Sequence, residues 1–193
     1  MDKTLVQTLQ SFVVLPILAT NLLIATPALD KIPTVAVPLT EENRPLNSSS
    51  TDNKQDELAI KAQKIDAYFE DRNLPLAGYG MKLASEAEKN GLPWSTLAAI
   101  AMIESTAYKN PCKSDPDNGF GWGSCRIKFN SIDQAIETVA HTIGGNNPKM
   151  AFHYKGKDID GILKAYNPPS VVPDYSQKVQ RVMKTIENYP IDK

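Results

Sequence analysis

Glu104 closes a run of seven apolar residues, Leu97-Ala98-Ala99-Ile100-Ala101-Met102-Ile103, and is followed by Ser105. A helix that is apolar on every side has no solvent face and belongs in the interior, with other helices packed around it. A carboxylate where such a helix ends is pushed toward its protonated form twice, by loss of water and by the negative end of the helix dipole. A carboxylic acid held neutral near physiological pH is what a general acid must be. Protonating the leaving oxygen of a glycosidic bond is the commonest chemistry built on one. The competing reading is that Glu104 is the first polar residue beyond a core helix, turned to solvent.

Directly downstream, Lys109 to Phe129 is rich in Asn, Pro, Asp and Gly and is the least helical stretch of the chain. Cys112 and Cys125, the only cysteines, bracket most of it. In an exported chain a disulfide is the simplest reading, worth ~3 kcal/mol by loop closure; two free thiols or a metal site are the alternatives. A metal is disfavoured because the only histidines, His141 and His153, lack ligand spacing to the pair. A disulfide would pin the loop where a cleft wall is wanted. Asp115 and Asp117, in Ser114-Asp115-Pro116-Asp117-Asn118-Gly119, read first as solvated turn residues.

These residues need elements to hold them. Leu58, Ile65, Tyr68 and Phe69 mark one helix, and Leu83, Ala84 and Ala87 mark a second that stops at Asn90-Gly91. Pro93-Trp94-Ser95 opens the buried helix. Ser131 and Gln134 form a capping-box pattern ahead of a stripe of Ile132, Ala135, Ile136, Val139, Ala140 and Ile143 that ends at Gly144-Gly145, with His141 at its edge. Ile159, Ile162, Leu163 and Tyr166 make a shorter helix halted by Asn167-Pro168-Pro169; Tyr175, Val179, Val182, Met183 and Ile186 make the last. The fold class expected is mainly α.

The N-terminal third reads differently. Residues 1–28 carry an apolar run from Phe12 to Ala25 followed by small residues, which resembles a secretory signal. The run is shorter than the ~20 apolar residues that span a bilayer and is interrupted by Pro16, Thr20 and Asn21; an uncleaved N-terminal anchor is the second reading and a buried soluble helix the third. Either of the first two exports the rest. Residues 29–56, with Pro33, Pro38, Pro45 and Asn47-Ser48-Ser49-Ser50, keep no apolar period and read as a linker, leaving 57–193 as one globular domain. The net charge of −1 leaves no broad basic field for nucleic acid.

Ala99-Ile100-Ala101-Met102-Ile103-Glu104-Ser105, then Asn110-Pro111, Gly119-Phe120-Gly121 and Ala165-Tyr166-Asn167, together resemble the motif series of the soluble lytic transglycosylases of the lysozyme-like superfamily. The resemblance spans about residues 78–186. It departs from the family at the cleft loop, where Gly119-Phe120-Gly121-Trp122 stands in place of Gly-Leu-Met-Gln and no glutamine is present. It implies a lysozyme-like helical domain with a disulfide-bracketed loop. It also implies an exported enzyme of periplasm, cell wall or exterior that cuts the β-1,4 bond between N-acetylmuramic acid and N-acetylglucosamine in peptidoglycan. Glu104 would serve as acid and then as base, with formation of a 1,6-anhydro ring. Ser105, Tyr166, Asn167, Phe120 and Trp122 would contact Glu104 or the glycan. No cofactor and no metal is implied, the partner is the glycan strand, membrane contact is confined to the N-terminal segment, and a monomer is expected. Two other classes stay open: a lysozyme-like hydrolase with Asp115 or Asp117 as second carboxylate, and a non-catalytic glycan-binding or scaffold protein on the same fold.

Overall fold

The computed structural model describes residues 49–191, and the side chains of residues 53–191. The signal or anchor reading of 1–28 and most of the linker lie outside the described residues. Among the described residues there are seven helices and no strand: α1 Ser49–Glu70, α2 Gly80–Lys89, α3 Thr96–Ser105, α4 Ile132–Ile143, α5 Ala151–Tyr154, α6 Ile159–Tyr166 and α7 Tyr175–Glu187. The class is mainly α. No described helix is long and apolar enough to cross a membrane.

α1 begins eight residues before the boundary placed at 57, so the end of the expected linker is helical. Residues 53–57 are all exposed, so no apolar period marks them. Once the amphipathic part of α1 is formed, each further residue adds a hydrogen bond without a new nucleus. α5 has no counterpart in the sequence pattern, since four residues are too few to show a period.

α3 is packed between α2 and α7, and Thr96–Ala101 are buried without interruption. It starts at Thr96 rather than Pro93. Pro93–Ser95 form a turn in which the Thr96 N–H donates to the Pro93 carbonyl at 3.0 Å. The Ser95 hydroxyl is not used as a cap and donates instead to Glu187 Oε1 at 2.6 Å, tying this end of α3 to the end of α7. Ile65, Phe69, Leu83, Ile100, Ile136, Val139, Leu163 and Ile186 are fully buried around α3 in one core. Burial of this kind contributes roughly 1.5–3 kcal/mol per large side chain.

Two devices fix the frame. A Cβ at Gly80 would lie 2.2 Å from the Ala62 carbonyl, so α1 and α2 meet this closely only because position 80 is glycine. There Asp66 of α1 accepts from the Gly78 and Gly80 amides, each at 2.8 Å, and supplies the cap that α2 lacks locally. At α4 the Ser131 hydroxyl accepts from the Gln134 amide at 3.1 Å as expected, while Gln134 Oε1 reaches one residue further and accepts from Asn130 N–H at 2.7 Å.

Candidate active site

The first six residues of α3 are sealed in the core, but Met102, Ile103 and Glu104 are only half-buried: the helix emerges at its C-terminal end. The chain then reverses through Thr106, Ala107 and Tyr108, all left-handed, with φ of 53°, 51° and 68°. Each such non-glycine residue costs roughly 1–2 kcal/mol. Hydrogen bonds offset this, from Ala107 N–H to the Ala101 carbonyl at 3.0 Å and from Asn110 N–H to the Ser105 carbonyl at 2.8 Å. The Ser105 hydroxyl accepts from Tyr108 N–H at 2.9 Å and donates to the Ala101 carbonyl at 3.2 Å. Ser105 is therefore a buried brace of this reversal and not the substrate contact expected of it: both its hydrogen-bonding roles are spent on backbone.

The reversal lets the loop from Lys109 to Phe129 fold over Glu104. Cys112 and Cys125 are joined in a disulfide, with Cα atoms 5.5 Å apart. Asn118, fully buried, is the hub inside the ring. Its Oδ1 accepts from Trp122 N–H at 2.9 Å, and its Nδ2 donates to the carbonyls of Trp122 at 3.0 Å and Ile127 at 2.9 Å. Asp115 is also turned inward, 6% exposed, accepting from Phe129 N–H at 2.9 Å and Asp117 N–H at 3.3 Å. Asp115 thus organises the loop. Neither it nor Asp117 lines the cleft that Glu104 opens on, which corrects the candidacy of both as second carboxylate.

Phe120 is another correction. Its ring is fully buried, edge-on to Tyr108 with centroids 5.9 Å apart, and offers no face to a sugar. Its contribution is a carbonyl, which accepts from the Tyr166 hydroxyl at 2.5 Å. Next to it Gly121 adopts φ +63°, and a Cβ there would sit 2.8 Å from Glu104 Oε2. Only glycine fits both the backbone and the gap.

Around the carboxyl group the arrangement is compact. The Tyr175 hydroxyl, from the first residue of α7, donates to Glu104 Oε1 at 2.6 Å. Tyr166, from the last residue of α6, stacks on Tyr175 with centroids 5.8 Å apart and planes 9° from parallel. Trp122 follows, its ring centroid 5.7 Å from that of Tyr166. Tyr166 thus stands beside Glu104 as expected, but its hydroxyl is bonded to the loop. The direct partner is Tyr175, which the sequence shows only as part of an apolar stripe.

Burial pushes the Glu104 carboxyl above its ordinary range, and the hydrogen bond from Tyr175 opposes that rise. Burial likewise raises both tyrosines, reinforced by neighbouring acidic groups, so Tyr175 stays a donor. The net direction for Glu104 is toward the neutral acid.

Glu104 lies in a cleft of about 730 Å³. One wall is the loop, with Gly121, Trp122 and Ile127; the other comes from α4 and the segment between α4 and α6, with Thr138, Thr142, Asn147, Lys149 and Tyr154. Tyr166, Asn167, Pro168 and Val171 complete it. Of the residues expected at the glycan, Trp122, Tyr166 and Asn167 are brought to this cleft together with Glu104. A more open groove of about 590 Å³ along α7, lined by Ile159, Gln177, Gln180 and Lys184 among others, includes none of them. Among the described residues no three His, Cys, Asp or Glu side chains converge as a metal site would need.

No protein-family model, curated protein or solved structure matches this chain. One raised carboxyl, oriented by a tyrosine and set in an open cleft with apolar and aromatic walls, can deliver a proton to an oxygen of a bound polymer and take one back. Among the described residues that line the cleft it has no carboxylate partner.

Proposed function

We propose that this chain is an exported peptidoglycan lytic transglycosylase with a lysozyme-like helical domain, acting on the β-1,4 bond between N-acetylmuramic acid and N-acetylglucosamine. The observation that carries the reading is the setting of Glu104: raised by burial, bonded through Oε1 to Tyr175, and the single carboxylate among the described residues of the cleft lining. With Tyr175 donating to Oε1, the acidic proton belongs on Oε2, on the side of Gly121. Glu104 gives that proton to the glycosidic oxygen as the bond from the muramic C1 breaks. The resulting carboxylate then accepts the proton of the muramic C6 hydroxyl as O6 bonds to C1, which closes the 1,6-anhydro ring and restores the acid. The nucleophile belongs to the substrate, so one carboxylate suffices.

A hydrolase commonly requires a second carboxylate to activate water or stabilise the cation. The inward bonding of Asp115 argues against that route. Trp122 and Tyr166 offer ring surface along the cleft that suits sugar faces, and Asn167 offers an amide beside them. The test is digestion of peptidoglycan sacculi by the purified chain, with Glu104→Gln alongside, and mass spectrometry of the released fragments. Anhydro-muropeptides, each lighter by one water than the hydrolytic product and reduced about 10³-fold by the substitution, are expected from loss of a general acid. Reducing ends would make it a hydrolase; binding to sacculi without release would make it a glycan-binding module.

A further inference from the structure

The cleft lining contains two charged residues, Glu104 and Lys149. Burial favours the neutral form of Glu104, and Lys149 is the basic residue of this lining. The ion pairs among the described residues engage Lys61, Lys82, Lys89 and Lys164, and Lys149 has no side-chain hydrogen bond or ion pair there. Its backbone is nonetheless placed: Lys149 N–H donates to Asn147 Oδ1 at 3.0 Å, and Asn147 Nδ2 donates to Thr142 Oγ1 of α4 at 3.4 Å. Lys149 thus stands on a braced turn at the wall facing the loop, with no ion-pair partner for its side chain among the described residues.

We propose that Lys149 is a specificity-determining residue that binds a carboxylate carried by the glycan, so that the cleft selects acidic strands over neutral ones. The inference rests on the glycan-cleaving reading and narrows its substrate class. A neutral polymer of N-acetylglucosamine presents nothing to an ammonium beyond hydroxyl and amide oxygens. A muramic residue carries its carboxylate either on the lactyl ether or on the peptide attached to it. A charge-assisted hydrogen bond to either is the stronger kind. Because the lysine is exposed, the attraction is screened by salt.

The experiment uses the full chain, Lys149→Gln and Lys149→Arg on three substrates: peptide-bearing glycan strands, strands stripped of peptide but keeping the lactyl carboxylate, and neutral β-1,4-linked N-acetylglucosamine oligomers tested for binding. Lys149→Gln is expected to raise KM for a carboxylate-bearing strand about five-fold, as loss of one partly screened charge contact would. The effect falls on KM rather than kcat, is restored in large part by Lys149→Arg, fades at high salt, and is absent for the neutral oligomer. An effect confined to peptide-bearing strands assigns the carboxylate to the peptide; an effect confined to stripped strands, where the lactyl carboxyl is no longer held in an amide, assigns it to the lactyl group; an effect on both means that either carboxylate is accepted. Equal loss on neutral and acidic ligands, or unchanged KM on both strands while Glu104→Gln still abolishes cleavage, overturns the role of Lys149 and leaves the transglycosylase reading standing. No cleavage of any strand by the wild type overturns both.

Discussion

The two sides of Glu104 are built by different physics. Behind it stands the helical frame, where α3 lies among α2 and α7 and the fully buried Ile100, Leu83 and Ile186 hold position by excluding water. In front of it lies the loop from Lys109 to Phe129, held by a covalent ring, by the side-chain bonds of Asn118 and Asp115, and by backbone in unusual conformations: Gly121, Gly123, Ser124 and Cys125 all have positive φ. Apolar burial tolerates modest repacking. A wall made of directional bonds and left-handed residues has far fewer alternatives, and it closes on Glu104 Oε2 at Gly121, while the frame reaches Oε1 through Tyr175. The frame therefore sets where the acid is, and the loop sets how closely it is enclosed.

That contrast can be broken from either side. Ile100→Ala in the frame should cost about 2–5 kcal/mol of global stability by cavity formation, seen as a lower midpoint of denaturant unfolding. Replacing both cysteines by serine should cost about 3 kcal/mol or less. Its signature differs: hydrogen exchange should rise first in the loop amides, with the helices protected until global unfolding. A uniform rise in exchange would mean that loop and frame are one cooperative unit.

Gly121→Ala sharpens the comparison at the point of contact. The added methyl group meets Glu104 Oε2 and strains the backbone at φ +63°, so kcat/KM should fall about 10²-fold, as a displacement near 1 Å can cause. The helices should be unperturbed in circular dichroism. An alanine variant with full activity would show that the loop does not enclose the acid.

Tyr175→Phe is the gentler probe, since it removes one hydroxyl and keeps the ring stacked on Tyr166. A loss of about ten-fold in kcat is expected, equivalent to one charge-assisted hydrogen bond of about 1.4 kcal/mol. The pH profile carries the sign. The bond from Tyr175 lowers the pKa of Glu104, so its removal raises that pKa, keeps the acid protonated to higher pH, and moves the alkaline limb upward. A downward shift would contradict the assignment of Tyr175 as the donor.

The frame is legible in the sequence because burial leaves a period. The stripe from Ile132 to Ile143, the Gly144-Gly145 stop and the unbroken run before Glu104 each report a face that must avoid water, and the helices fall where those signals put them. The start of α1 is not legible, because its exposed residues bury nothing. The loop is legible as a loop, with its cysteines paired, but its roles are not. Asn118 and Asp115 look like ordinary turn residues until their side chains are seen to bond amides and carbonyls several positions away. Phe120 between two glycines gives no sign of which way its ring turns. Tyr175 occupies an apolar stripe in good register, and periodicity cannot separate an aromatic that only packs from one whose hydroxyl reaches a carboxylate 71 residues earlier.

The most direct measurement is the titration of the Glu104 carboxyl itself by carbon-detected NMR, in the wild type and in Tyr175→Phe. A pKa above the ordinary 4.5 is expected in the wild type and a higher one in the variant, because burial raises it and the tyrosine holds it down. A value at or below 4.5, unmoved by the loss of the Tyr175 hydroxyl, would mean an ordinary solvated carboxylate and would remove the general acid on which the proposed chemistry depends.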